Sequence, residues 1–163
     1  MLQGMTRVLL VDDEPDICSV LAVALETDGF EVDRASDARR ALAVLESDPP
    51  DLVILDVMMP GMDGFELLAQ VRQRQLAAST RFVVVTCRTS ERDHLRGWEL
   101  GADEYVTKPI DGGALPGLVR RVLAASDDEL AARRTDELAK AALLDRLEAA
   151  MRRPAGASRS AWA

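Results

Sequence analysis

Asp51-Leu52-Val53-Ile54-Leu55-Asp56-Val57-Met58-Met59-Pro60 is the stretch on which the fold turns. Its apolar run, Leu52 to Leu55, is too short for a typical helix and partly β-branched, and Pro60-Gly61 supplies a turn after it. A continuous apolar run of this length is the pattern of a strand buried on both faces, as in a parallel sheet under helices. Such strands deliver functional groups at their carboxyl ends, where the connecting loops open. Asp56 stands at that end. A single carboxylate there also suits a helix cap or a turn, so its role depends on what the other strands bring beside it.

Working outward, the chain alternates. Arg7-Val8-Leu9-Leu10-Val11 is a buried-type strand ending in Asp12-Asp13-Glu14-Pro15. Proline and acidic residues both suit the first turn of a helix. That helix carries Ile17, Leu21, Ala24 and Leu25 on one face and stops at Gly29. Phe30 to Arg34 is a short strand, and Ser36 is expected to cap a helix with Ala38, Ala41, Leu42 and Leu45 on one face. Beyond the opening strand, Asp63-Gly64 leads into a helix bearing Phe65, Leu68 and Val71. Arg81 to Thr86 is another buried strand, and a helix runs from Ser90 to Gly101. Glu104 to Thr107 is a fifth strand, followed by Lys108-Pro109 and a helix ending near Ala125. Five strands alternating with five helices imply an α/β fold with a doubly wound, mainly parallel sheet. Right-handed crossovers place the helices on both faces.

Length and composition agree. The 163 residues suit one domain with an appendage, and 48% hydrophobic with 29% charged residues is an ordinary globular balance. No apolar run approaches the ~20 residues of a membrane span. The first residues lack the apolar core of a signal peptide, so a cytoplasmic setting is expected. Cys18 and Cys87 form neither a metal-ligand spacing nor a disulfide framework. Residues 1–126 hold 21 acids and 13 bases, and residues 127–163 hold 7 of each. The whole excess of negative charge lies in the front part, which argues against nonspecific DNA binding there.

In a parallel sheet all carboxyl ends share one edge, so residues far apart in sequence meet. That edge receives Asp12 and Asp13 from the first strand, Asp56 from the third, Thr86 from the fourth and Lys108 from the fifth. Three converging carboxylates repel one another unless a cation sits among them. Mg²⁺ suits such a set, because it needs few protein carboxylates and keeps waters for an incoming phosphate. A lysine and a hydroxyl beside it suit phosphate oxygens. Together these parts describe phosphoryl transfer to a carboxylate. Only two lysines, Lys108 and Lys140, stand among 18 arginines. A compact ammonium fits a phosphate reached through a narrow opening better than a planar guanidinium does.

Val11-Asp12-Asp13-Glu14-Pro15, Leu55-Asp56-Val57-Met58-Met59-Pro60-Gly61-Met62-Asp63-Gly64 and Gly101-Ala102-Asp103-Glu104-Tyr105-Val106-Thr107-Lys108-Pro109 together resemble the receiver domain of bacterial two-component response regulators. The likeness covers about residues 6–125. It implies a flavodoxin-like sheet of order 2-1-3-4-5, with Asp56 phosphorylated by a histidine kinase or a phosphotransfer protein. It further implies that Asp12, Asp13, Asp56 and the main-chain carbonyl of Met58 bind Mg²⁺, and that Lys108 contacts the phosphoryl group with Lys108-Pro109 cis. Thr86 and Tyr105 match the family's switch pair, in which the hydroxyl turns toward the phosphate and the ring moves inward. Such a domain is a switch for a downstream protein, not an enzyme acting on an outside substrate. Aspartyl phosphatases of similar fold usually carry a second carboxylate two residues after the nucleophile, where this chain has Met58. A constitutive module that has lost phosphorylation is disfavoured by the full site set.

Some positions depart from the family's pattern. Cys87 stands beside Thr86 where a smaller residue is usual, and Arg88 and Met58 sit where the lifetime of the phosphoryl group is tuned. Asp111-Gly112-Gly113-Ala114-Leu115-Pro116-Gly117 is a poor helix start, since Pro116 clashes with the carbonyl four residues back. The last of the five helices is therefore expected to begin late, near Leu115 or Pro116. The division expected is a receiver domain over 1–126, a helical extension over 127–153 and a disordered tail over 154–163. In the extension, Leu130, Leu138, Ala141, Leu144, Leu147 and Met151 form a weak apolar face interrupted by Glu137 and Lys140. It reads either as a solvated continuation of the preceding helix or as a dimerising or partner-binding helix. No DNA-binding motif is evident in it.

Overall fold

The apolar runs become five strands separated by helices, and the computed structural model describes residues 4–152. In order these are β1 (Arg7–Val11), α1 (Pro15–Thr27), β2 (Glu31–Ala35), α2 (Ala38–Ser47), β3 (Leu52–Asp56), α3 (Gly64–Gln73), β4 (Arg81–Thr86), α4 (Glu91–Glu99), β5 (Glu104–Thr107), α5 (Leu115–Ala124) and α6 (Asp127–Arg152). All pairings are parallel, in the order β2-β1-β3-β4-β5. β3 is central, and each of its five residues is buried. Because successive side chains alternate faces, the sheet has a core on each side. Val8, Leu10, Leu52, Ile54, Val83 and Val85 pack under α1 and α5. Leu9, Val11, Val53, Leu55, Phe82 and Val84 pack on the opposite face with Ala41, Leu45, Phe65, Leu68 and Val71 of α2 and α3.

Most helix starts follow from local chemistry. Asp63 and Glu66 form a reciprocal capping box at α3, with both bonds at 2.8 Å. Ser90 caps α4 by accepting from Asp93 N–H at 3.2 Å. The expectation for Ser36 is corrected: Asp37 caps α2, its carboxylate accepting from Arg40 N–H at 2.8 Å. Asp37 lies three residues before that N–H, the spacing a cap requires, and Ser36 Oγ instead accepts from the Arg40 guanidinium at 3.1 Å. α5 begins at Leu115 with Pro116 in its first turn, where the missing N–H costs nothing.

The chain after α5 does not continue as one rod. Ala125 is extended (ψ 138°), and α6 restarts at Asp127. Ser126 N–H donates to Glu129 at 2.7 Å while Ser126 Oγ accepts from Glu129 N–H at 3.2 Å, a second capping box. α6 then folds back along α4. Arg134 donates to the carbonyls of Gly101 and Ala102 beyond the C-terminal end of α4, and Asp145 pairs with Arg92 in its first turn, so the two helices run antiparallel. Leu130 and Ala141 are buried, so the extension is not simply solvated. The proposed tail, 154–163, and Arg153 lie outside the described residues.

Candidate functional site

Asp12 and Asp13 directly follow β1, Asp56 ends β3, Thr86 ends β4 and Lys108 follows β5. The structure brings these residues to one edge. Lys108 Nζ lies 2.9 Å from Asp12 Oδ2, 3.3 Å from Asp56 Oδ2 and 3.8 Å from Glu14. Asp12, Asp13, Glu14 and Asp56 each place one carboxylate oxygen within 4.8 Å of the others. Asp56 is 4% exposed and Asp12 7%, whereas Glu14 is open to solvent. Glu14 belongs to the cluster as well, although its sequence context marks only a helix start. Its place in the cluster follows from the turn into α1, where Glu14 N–H donates to Asp12 Oδ1 at 2.9 Å.

Burial raises the pKa of Asp56 above the ordinary carboxylate value, against the ammonium of Lys108, which lowers it. For Lys108, burial alone favours the neutral amine. The hydrogen bond to Asp12 and the charge of Asp56 outweigh it, so its pKa is raised and the ammonium is held charged. One buried cation thus faces several carboxylates, an imbalance that a further hard cation would relieve. The donor set is all oxygen, so the residues present fit Mg²⁺.

The supporting positions are equally particular. Met58 N–H donates to Asp56 Oδ1 at 3.2 Å, which fixes one carboxylate oxygen and leaves the Met58 side chain half exposed. Lys108-Pro109 is cis. Thr86 is fully buried, and its Oγ1 accepts from Arg88 N–H at 3.2 Å. Tyr105 is half-buried and donates its hydroxyl to the Arg88 carbonyl at 3.1 Å. Thr86 and Tyr105 are thereby joined through one residue of the β4–α4 loop. Cys87 is exposed.

Two glycines shape the site. A Cβ on Gly64 would stand 2.3 Å from the Asp56 carbonyl oxygen and 2.9 Å from Val57 Cα, so α3 starts in direct contact with the backbone that carries Asp56. A Cβ on Gly97 would stand 2.7 Å from the Tyr105 ring, so this α4 glycine forms the seat of that ring. His94 of α4 covers the ring from another side, with centroids 4.3 Å apart. None of these contacts has a local sequence signal, since each depends on two elements approaching closely.

The chain also matches known proteins. The family model described as "Response regulator receiver domain" matches residues 8–120. The sensory transduction protein RegX3 of Mycolicibacterium smegmatis is 43% identical over 124 residues, covering 76% of this chain and 53% of that protein. The chain spans about half the length of the curated relatives it matches. A CheY-like receiver domain protein from Methanospirillum hungatei superposes with a TM-score of 0.69 at 28% identity, over 80% of this chain and 99% of the other. The Thermotoga maritima response regulator TrrA, solved with Mg²⁺-BeF, has a TM-score of 0.64 at 36% identity over 72% of this chain and 99% of its own. Among the described residues no helix is long and apolar enough to cross a membrane. With the sheet order, the matched span and the converging acidic edge in agreement, the chain belongs to the receiver-domain family of two-component response regulators.

Proposed function

We propose that Asp56 accepts a phosphoryl group from a histidine of a sensor kinase or phosphotransfer protein, and that this switches a protein-binding surface. The observation that carries the reading is Lys108 Nζ, set 2.9 Å from Asp12 and 3.3 Å from Asp56 at the mouth of a carboxylate cluster. In the transfer an Asp56 carboxylate oxygen bonds to phosphorus as the phosphorus–nitrogen bond of the donor histidine breaks, and the imidazole nitrogen takes up a proton. Lys108, now bonded to the carboxylate, is placed to follow the charge onto the phosphoryl oxygens. Thr86 supplies a hydroxyl at the neighbouring strand end, and Met58 N–H steadies the carboxylate oxygen. Asp12, Asp13, Asp56 and the Met58 carbonyl would hold Mg²⁺, which neutralises phosphoryl charge when bound. TrrA, solved with Mg²⁺-BeF, supports this choice of ion.

The donor has to approach over the open side of the site, where Ile17, Val20, Pro109 and Ile110 line an apolar groove beside Lys108. In this reading residues 1–126 are the receiver, 127–153 an extension of it, and the setting is cytoplasmic. The acidic 1–126 unit acts on a protein, not on DNA, and Tyr105 is the group that transmits the change.

The test is incubation with Mg²⁺ and acetyl phosphate, followed by intact-mass analysis. One acid-labile phosphoryl group is expected on the wild type and none on Asp56→Asn or without Mg²⁺. An adduct that persists in Asp56→Asn would refute the assignment.

A further inference from the structure

The α4–β5 face is covered by the chain's own last helix. Asp103 and Glu104 are each 4% exposed; Asp103 accepts from Phe82 N–H and from Arg134 of α6 at 2.9 Å, and Glu104 is paired with Arg121 of α5 at 3.1 Å and with Arg133 of α6 at 2.6 Å. Buried carboxylates without such partners are costly, so α6 is fitted to this face by charge as well as by Leu130 and Ala141. Arg134 also reaches the carbonyls of Gly101 and Ala102, next to the C-terminal end of α4, where a cation is favoured.

The fit is incomplete at one place. Between α4 and α6 a cavity of about 140 Å³ is lined by Glu91, His94, Trp98, Glu137, Ala141 and Leu144. The Nε2 of His94 is buried there without a hydrogen-bond partner, alone among the buried side-chain nitrogens and oxygens of the described residues. A buried polar atom without a partner disfavours the packing that encloses it. This one lies on the helix turn that also holds Tyr105, since His94 packs against that ring at a tilt and Gly97 seats it.

From the opposite direction, the strand register sets Thr86 one residue beyond Val85, the partner of Asp56. A phosphoryl group on Asp56 brings charged acceptor oxygens toward the Thr86 hydroxyl. Moving Oγ1 toward them lengthens the bond it accepts from Arg88 N–H, and the Arg88 carbonyl is what anchors the Tyr105 hydroxyl. Contacts run from Thr86 through Arg88 and Tyr105 to His94, which lines the cavity against α6, and Asp56 stands beside Thr86 at the sheet edge.

We propose that α6 is a releasable intramolecular cover on the α4–β5 face, held by Arg133 and Arg134 and loosened through Tyr105 and His94 when Asp56 is modified. The release step rests on the phosphorylation reading; the cover itself does not. A ligand shifts such an equilibrium only by binding the two arrangements differently, and here the arrangement that fits α6 is the one with Tyr105 seated on Gly97.

The test is hydrogen exchange by mass spectrometry on the full chain, following amides of residues 130–146. Addition of Mg²⁺ and beryllofluoride is expected to speed exchange there about tenfold or more, with β1 and β3 unchanged. Fluorine NMR on the same sample reports whether Asp56 has taken up the probe. Unchanged α6 exchange on a loaded protein overturns the release. Failure to load refutes the phosphorylation reading instead, and two unloaded variants then decide the cover. Gly97→Ala pushes the Tyr105 ring off its seat and should speed α6 exchange. His94→Phe keeps an aromatic ring against Tyr105, removes the orphaned nitrogen and should slow it. Wild-type exchange in His94→Phe, or in a folded Gly97→Ala, overturns the coupling.

Discussion

Replacing Gly64 by alanine should damage both fold and site, although alanine is the better helix former. In an open helix Gly→Ala gains about 0.5–1 kcal/mol. At Gly64 the new Cβ meets the Asp56 carbonyl oxygen at 2.3 Å and Val57 Cα at 2.9 Å, all of it backbone. Reaching even 3.0 Å from that oxygen requires the end of β3 and the start of α3 to part by about 0.7 Å. Overpacking of this kind costs about 1–3 kcal/mol. For a chain of this size each kcal/mol moves Tm by about 2–4 °C, so a fall of roughly 2–12 °C is expected. Displacement of Asp56 by nearly an ångström should also slow its labelling by acetyl phosphate by roughly 10–100-fold. Gly117→Ala is the control: it lies in the first turn of α5 with nothing within 4 Å of a Cβ, and should be neutral or stabilising. Circular-dichroism melts and timed intact-mass labelling measure both effects. A Gly64→Ala protein that melts no lower than wild type and labels at the same rate would refute the reasoning.

Three further outcomes follow from the site and the last helix. Burial raises the Asp56 pKa, so the native state holds that proton more tightly than the unfolded chain. The stability this contributes is present at low pH and lost as pH rises through the raised value. Urea titrations should therefore show Asp56→Asn more stable than wild type at neutral pH, with the gap narrowing on acidification. Lys108→Gln leaves Asp12 and Asp56 facing each other without their cation, at a cost of up to about 3–5 kcal/mol in metal-free buffer. Saturating Mg²⁺ should recover much of that loss in calorimetry, and a loss insensitive to Mg²⁺ would contradict the proposed metal site. Ser126→Ala removes the cap of α6 and should cost that helix about 1 kcal/mol, read as faster amide exchange in its first turn.

The sheet was legible because a strand buried on both faces must be apolar throughout, and Val8–Val11, Leu52–Leu55 and Phe82–Val85 are. The convergence of Asp12, Asp13, Asp56, Thr86 and Lys108 was legible for the same reason, since parallel strands leave their carboxyl ends on one edge. The late start of α5 was legible in Gly112, Gly113 and Pro116. The fold-back of α6 was not. Its buried contacts are few, and Arg133 and Arg134 look like an ordinary solvated pair until Asp103 and Glu104 stand opposite them. The helix start itself is visible in the acidic run Asp127-Asp128-Glu129, and with Ser126 these residues have the spacing of a capping box, which marks a break after α5. Gly64 and Gly97 matter only through close approaches between elements distant in sequence, which no window of residues contains.

The doubling back of α6 also sets where its far end stands. α5 carries the chain away from Asp56 to the amino edge of the sheet, and α6 sets out from there, with Asp127 paired to Arg81 at the first residue of β4. Its 26 residues rise about 39 Å, enough to climb the full height of α4 and pass its first turn at Arg92. The described helix therefore ends beyond the first turn of α4, toward the carboxyl edge of the sheet. A module joined after it would be tethered at that rim, on a stiff arm whose hinge is Ala125-Ser126 at the far edge. A small rotation at the hinge then becomes a displacement many times larger at the far end of the helix, beyond the first turn of α4.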